Sequence, residues 1–566
     1  MTPKVPSTPP VASNPVEPIE AEREYTMQSA APLLHSGFQA SARRVPENPA
    51  LSLRGQTWTY RELDGTARRW AAALAQHATR PKRVAILGHR SIVTYAGFLA
   101  ALYAGATVVP LNKKYPVARN RDVLERAEVD VVLADAGSLA QLGPLLDGLA
   151  DAPSGAPLVV LPETEEAPGN LPAAVRVLTR ADVEACAPQT EPVAVAPGDG
   201  AYLLFTSGTT GLPKGVPISH ANAAAFLSAN TERYGFSEYD RFTNTFDQTF
   251  DLSVFDLFMA WGSGGCLVPM DTYDLMTPLE FVRANDITVW FSVPSVAVLQ
   301  HRRGALDPDS LPSLRWSLFC GEALPAATAQ AWQEAASASV VENLYGPTEA
   351  TIACLVHRWD PKTSPAGVVN GVVSIGSPYP GMAAAVLAED GSPVPGGETG
   401  ELCLSGHQVF EGYLNAPEQT DGAFHTTPSA YGPDHRWYRT GDLVRRLDSG
   451  EYGYVGRLDT QVKILGHRIE TGEVEAHLLR QERIDQAVVV AVPGDEEGVT
   501  VLAGILAGVG LDVYDVDEEL RRTLPPYMIP LTYHLLDAFP LNDNGKVDRK
   551  TLRMQVVSGE LEPVLL

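Results

Sequence analysis

The segment 202–215 reads YLLFTSGTTGLPKG, an apolar run entering Thr206, Ser207, Gly208, Thr209, Thr210 and Gly211, with Lys214 close behind. Side-chain hydroxyls donate to phosphate oxygens, glycines let backbone N–H groups converge on an anion, and a lysine completes the charge. The spacing is not the G-x-x-x-x-G-K-[ST] loop of one large nucleotide-binding class. As a whole, the string from 206 to 215 reads as a phosphate cradle rather than an ordinary Ser/Thr/Gly turn. A strand must deliver that cradle, and the chain supplies the strands and helices of a layered α/β protein from about residue 32 onward. Apolar strand-like runs at 83–87, 107–110, 129–133, 158–161 and 288–291 alternate with Ala-rich helical stretches such as 93–104.

The texture changes near 456–459, after which short elements follow at 461–465, 473–481, 486–493 and 499–505. The expected architecture is α/β: a large N-terminal domain of layered α/β subdomains, 31–458, and a small mobile α+β domain, 459–566. Residues 1–30, rich in Pro and Glu, are expected to be a disordered tail without a signal-peptide centre. The 152–197 stretch, rich in Pro, Ala and Glu, reads as connections. With 566 residues and a net charge of −25, the chain exceeds a single core and lacks the basic surface of a general nucleic-acid binder. Five dispersed cysteines in no C-x-x-C pattern argue against a disulfide framework or zinc site, and no run reaches the ~20 apolar residues that span a bilayer. A cytoplasmic location is expected.

Six further motifs follow in order: WTYREL (58–63), YAGATVVP (103–110), NLYGPTE (343–349), GELCLSG (400–406), YRTGD (438–442) and PLNDNGKVDRK (540–550), with 456–475 between the last two. Together with the phosphate string these resemble the adenylate-forming superfamily, which includes acyl-CoA synthetases, firefly luciferase and nonribosomal peptide synthetase adenylation domains. The resemblance covers nearly the whole chain. It implies ATP and Mg2+ as cofactors, with Thr206, Ser207, Gly208, Thr209, Thr210 and Lys214 on the phosphates. Gly321, Glu322 and Ala323 would line the adenine site, chiefly by backbone, together with Asn343, Tyr345, Gly346 and Thr348. Glu349 would be the Mg2+ ligand, Asp442 would accept the ribose hydroxyls, and Arg457 would meet ribose or phosphate. Asp459 would be the hinge, its bland reading being a linker Asp. Lys546 would serve the first half-reaction, and only its motif distinguishes it from a solvated lysine. Leu465 stands where many members carry Arg, which leaves the contacts of the thioester-forming state open.

FDLSVF (250–255) is similar to the segment that opens the amino-acid pocket in peptide synthetase adenylation domains. By that resemblance Asp251 pairs with a substrate α-ammonium; the alternative is a helix N-cap. The remaining pocket positions carry over as Leu252, Phe255, Ser292, Leu318, Cys320, Leu344, Ile352 and Ala353, with Lys546 at the mouth. Bulky apolar walls and no charged group imply a small side chain: alanine first, glycine or serine next, with L against D open. The 318–322 stretch also resembles D-alanine–carrier protein ligases. The expected reaction is formation of an aminoacyl-adenylate and its transfer to the phosphopantetheine thiol of a separate carrier protein, for which Arg480, Arg483, Arg521 and Arg522 could form a basic greeting surface. No carrier-protein serine motif and no condensation motif is present in the chain. Two other readings remain: a CoA ligase for an acid without an amine, and a non-catalytic nucleotide-binding scaffold.

Overall fold

A computed structural model describes residues 32–76, 80–149, 155–207, 213–271, 273–425, 436–494, 500–540 and 547–564. The expected N-terminal tail, Gly208, Thr209, Thr210 and Lys546 therefore lie outside the described residues. Among the described residues no helix is long and apolar enough to cross a membrane.

Two large sheets dominate. One has seven strands; Val177–Leu178, Leu158–Val160, Val131–Ala134, Arg83–Leu87, Thr107–Leu111 and Gly200–Thr206 run parallel, and Lys214–Ser219 closes the edge antiparallel. The other has nine strands and a parallel centre in the order Val340–Tyr345, Trp316–Phe319, Val289–Ser292, Arg241–Asn244, Cys266–Pro269 and Pro49–Leu53. Strands buried on both faces read as continuous Val/Leu/Ile runs, as in RVAIL at 83–87.

Helices fill the layer between the sheets. Helix Ile92–Tyr103 is buried at every residue from Val93 to Tyr103, as an all-apolar helix must be, and helix Leu252–Ser263 is buried from Leu252 to Trp261. Phe98 and Phe258 meet edge to face at 5.6 Å and tie the two helices together. The 152–197 stretch, read as connections, holds two short strands and the helix Arg180–Glu184 besides its loops.

A five-stranded sheet, antiparallel in all its pairings, follows, carrying Trp437–Arg446 and Tyr452–Arg457. Past Asp459 the chain builds sheets of its own: a hairpin of Gln461–Ile464 and His467–Glu470, and a three-stranded sheet of Ile484–Pro493, Thr500–Gly508 and Thr532–Leu535. A separate apolar cluster with Ile469, Val474, Leu502 and Leu520 lies beneath them.

Candidate active site

In open α/β sheets, ligands sit outside the carboxyl ends of parallel strands. Several strands converge there. Thr206 ends Gly200–Thr206, Cys320 and Gly321 follow Trp316–Phe319, and Tyr345 ends Val340–Tyr345, with Gly346 next. A cavity of about 110 Å3 opens between these ends, bordered also by Asp251, Leu252, Thr348, Asp442 and Arg457. Hairpin residues Gln461, Lys463, Gly466, His467 and Arg468 complete its wall.

Asp251 stands at the N-cap position of helix Leu252–Ser263 but makes no capping bond; its carboxylate takes the Ile352 amide at 3.3 Å. Burial pushes its carboxyl up to about 6, against hydrogen bonds from Thr348 and Ile352 that favour the charged form. Among the described residues no basic side chain pairs with it. Leu252, Phe255, Leu318, Cys320, Leu344, Ile352 and Ala353 share one buried cluster, and of these Leu252 and Cys320 border the cavity. Ser292 is buried with its hydroxyl engaged, accepting from Trp290 Nε1 and donating to the Val293 carbonyl, each at 3.0 Å.

Elsewhere on the cavity wall, the Tyr345 hydroxyl donates to Asp442, whose other oxygen accepts from Arg457 Nη1 at 2.6 Å. Arg457 also holds Asp459 through two bonds of 2.7 Å. Gly346 must be glycine, because a Cβ there would sit 2.6 Å from Ala353 Cα. Asn343 does not border the cavity; its Nδ2 donates to the Ser374 carbonyl at 2.9 Å, and its buried Oδ1 has no partner among the described residues. Glu322 uses its carboxylate to hold backbone, accepting from Ser295 N at 2.9 Å and Gly466 N at 2.7 Å, and Ala323 is exposed outside the cavity. Lys214 begins the antiparallel edge strand with its Nζ 5.3 Å from the Tyr413 ring centroid.

Glu349 is fully buried. Arg468 Nη1 meets its two oxygens at 2.9 and 3.1 Å, and the Tyr413 hydroxyl donates to it at 2.8 Å. Burial alone would raise this carboxyl; the guanidinium beside it overrides burial and holds it below the usual range. A buried carboxylate offers the oxygen donors that Mg2+ binds, and here the Arg468 guanidinium holds both of those oxygens.

The hairpin reaches Ser207 too. The Ser207 hydroxyl donates to the Arg468 carbonyl at 2.8 Å and accepts from Glu470 N at 3.2 Å. Sequence reasoning singled out neither Arg468, Lys463 nor Tyr413. Arg468 lay inside the matched 456–475 stretch, and that was its only signal. Leu465, which stands in place of Arg, is 60% exposed at the hairpin tip with φ +50°, and Gly466 beside it enters the cavity wall.

Gly466 has φ +80°, and a Cβ there would lie 2.4 Å from Val293. A Gly466→Ala change is therefore expected to lift the hairpin from the cavity; in the two-step reaction that the sequence resemblance implies, thioester formation should slow about tenfold or more while pyrophosphate exchange changes less, a split that single-turnover assays of each step would show.

An AMP-binding enzyme family model matches residues 38–414, and a model for the C-terminal domain of AMP-binding enzymes matches 473–546. The chain belongs to the AMP-binding enzyme family. It is 35% identical to the L-proline–[L-prolyl-carrier protein] ligase of Pseudomonas fluorescens, across 93% of this chain and 99% of that protein. It is also 34% identical to tyrocidine synthase 3 of Brevibacillus parabrevis over 92% of its own length, yet spans only 8% of that protein. Among solved structures, the Vibrio cholerae adenylation domain AlmE, in complex with glycyl-adenosine-5'-phosphate, matches with a TM-score of 0.80 and 30% identity over 93% of this chain and 98% of that one.

Proposed function

We propose that the chain activates a small amino acid with ATP and passes it, as a thioester, to a separate phosphopantetheinyl carrier protein. The observation that carries this reading is Asp251. A buried carboxylate with no basic partner among the described residues shares one cavity with Thr206, Ser207, Tyr345 and Asp442. Such a group is costly unless it receives a cation, and an amino acid's α-ammonium supplies one. The prolyl ligase and the glycyl-adenylate complex among the relatives fit that substrate class.

In this mechanism Asp251 holds the α-ammonium and aims the substrate carboxylate at the α-phosphorus of ATP. Thr206, Ser207 and the cradle up to Lys214, including Gly208, Thr209 and Thr210, bind the phosphates. Tyr345 stacks on the adenine, with Gly321, Gly346 and Thr348 around it, and Asp442 with Arg457 fixes the ribose. Lys546 neutralises charge on the reacting oxygens. Glu349 would hold Mg2+, which when bound supplies electrostatic stabilisation of the phosphates. Pyrophosphate leaves, an aminoacyl-adenylate remains, and the carrier thiol then attacks its carbonyl carbon as AMP departs. The 459–566 unit turns about Asp459 between the two steps; the hairpin lining the cavity supports this, because it approaches the site where the thiol must arrive.

Alanine is the preferred substrate in this reading, with glycine and serine next. Leu252 and Cys320 border the open space, and Phe255, Leu318, Leu344, Ile352 and Ala353 pack in the buried cluster they belong to, a set that supports a small uncharged side chain. One methyl group discriminates by only ~1–3 kcal/mol, so neighbouring substrates should leak through. Amino-acid-dependent exchange of labelled pyrophosphate into ATP, over L-amino acids, glycine, D-alanine, β-amino acids and aryl acids, should peak at alanine. A maximum at proline would keep the reaction and discard the pocket size. A maximum at an acid without an amine would discard the role of Asp251.

A pH profile follows from the raised Asp251 carboxyl. Protonation removes the charge that the α-ammonium needs, so binding is complete above about 6 and lost as pH falls through that value. The kcat/KM for the amino acid should drop about tenfold per unit on the acid side, while a des-amino acid shows no such limb.

A further inference from the structure

Glu349 is fully buried and bound by one cation, the Arg468 guanidinium, at 2.9 and 3.1 Å. The backbone carbonyl of Arg468 takes the Ser207 hydroxyl at 2.8 Å, and Glu470 N donates to that hydroxyl at 3.2 Å. One strand of the hairpin thus engages both the carboxylate read as the metal ligand and the hydroxyl read as a phosphate donor. Arg468 also borders the cavity, and its buried Nε–H has no acceptor among the described residues.

Two cations cannot share one face of a buried carboxylate, since their mutual repulsion is strong where water is excluded. We propose that Arg468 is a positioning residue that takes the place of Mg2+ on Glu349, so that metal binding and docking of the 461–470 hairpin exclude one another. This rests on the reading of Glu349 as the metal ligand. Docking then requires that the metal, and the pyrophosphate that travels with it, has already left. Undocking requires Mg2+ to reclaim Glu349 from the guanidinium. Because coupling between two binding events is reciprocal, metal weakens docking by the same factor as docking weakens metal binding. The arrangement gives the enzyme an order of events: the hairpin cannot seat while the first reaction's leaving group remains.

The test uses the full chain with Mn2+ in place of Mg2+ and needs neither amino acid nor carrier. Free Mn2+ is counted by electron paramagnetic resonance, and domain position by energy transfer between dyes on Glu125→Cys and Glu518→Cys. Both native residues are exposed, one on helix Val117–Arg126 and the other on helix Val513–Thr523. In the wild-type chain, Mn2+ with pyrophosphate should lower the energy transfer. Arg468→Met should bind Mn2+ about tenfold or more tightly and start from a lower energy transfer without metal. Arg468→Lys, which keeps a cation, should fall between, and it separates lost charge from misfolding. Glu349→Gln should abolish both the Mn2+ site and the response. Unchanged Mn2+ affinity in Arg468→Met, or energy transfer indifferent to Mn2+ in the wild type, would overturn the proposal. Neither result touches the substrate assignment, and a silent substrate panel would leave this competition standing.

Discussion

Asp251→Asn is expected to remove about 10^2–10^3-fold of the kcat/KM for the amino acid in pyrophosphate exchange, because breaking a buried ion pair by removing one partner leaves the other charge uncompensated. The carboxylate is 7% exposed and accepts from the Ile352 amide, so the isosteric amide preserves shape while deleting the charge. The loss should fall mainly on KM, since the ammonium is held alike before and during the reaction. An acid without an amine supplies the control. Its weak activation should be unchanged or improved in the variant, because the desolvated negative charge it had to face is gone. Equal losses for both substrates would mean that Asp251 organises the pocket instead of reading the ammonium.

The second large effect concerns Lys546. Lys546→Ala should slow adenylate formation about 10^2–10^3-fold, the range for deleting one preorganised donor to developing charge. Transfer from preformed adenylate to the carrier thiol should change far less. The neighbouring described residues show how its segment is anchored: Val547 packs on the cluster of Val488, Val490 and Ile505, and Arg549 pairs with Glu475. Those contacts belong to the 459–566 stretch, and in the proposed mechanism Lys546 acts only in the half-reaction to which that stretch presents it. Equal slowing of both steps would place Lys546 in substrate binding common to the two.

Much of this site could be read before any fold was known, and the reasons are local. The strand ending at Thr206 and the turn with Gly346 depend on residue types within a few positions of each other. The alternating texture of 83–133 likewise marked the strands of a layered α/β protein, each found within a residue or two of the expected limits. What could not be read depends on distant parts meeting. Arg468 is 119 residues from Glu349, and nothing in either neighbourhood announces the pair. Asn343 sits in a motif that implies adenine contact, yet its amide is committed to the Ser374 carbonyl across the fold. The pocket walls show the same limit. Phe255, Ser292, Leu318, Leu344, Ile352 and Ala353 are all buried, but depth in the packing decides which of them border the open space, and sequence order carries no depth.

Cys320 borders the cavity in which an acyl-adenylate would form, and it is a thiol, the same functional group as the acceptor. An ionised Cys320 would capture the activated acyl group before any carrier arrived, leaving a dead-end acyl-enzyme. Burial pushes this thiol up to about 12, so near neutral pH the reactive thiolate is scarce. In the proposed reaction the burial of Cys320 would do more than shape a pocket: it would keep the enzyme's own thiol from capturing its product.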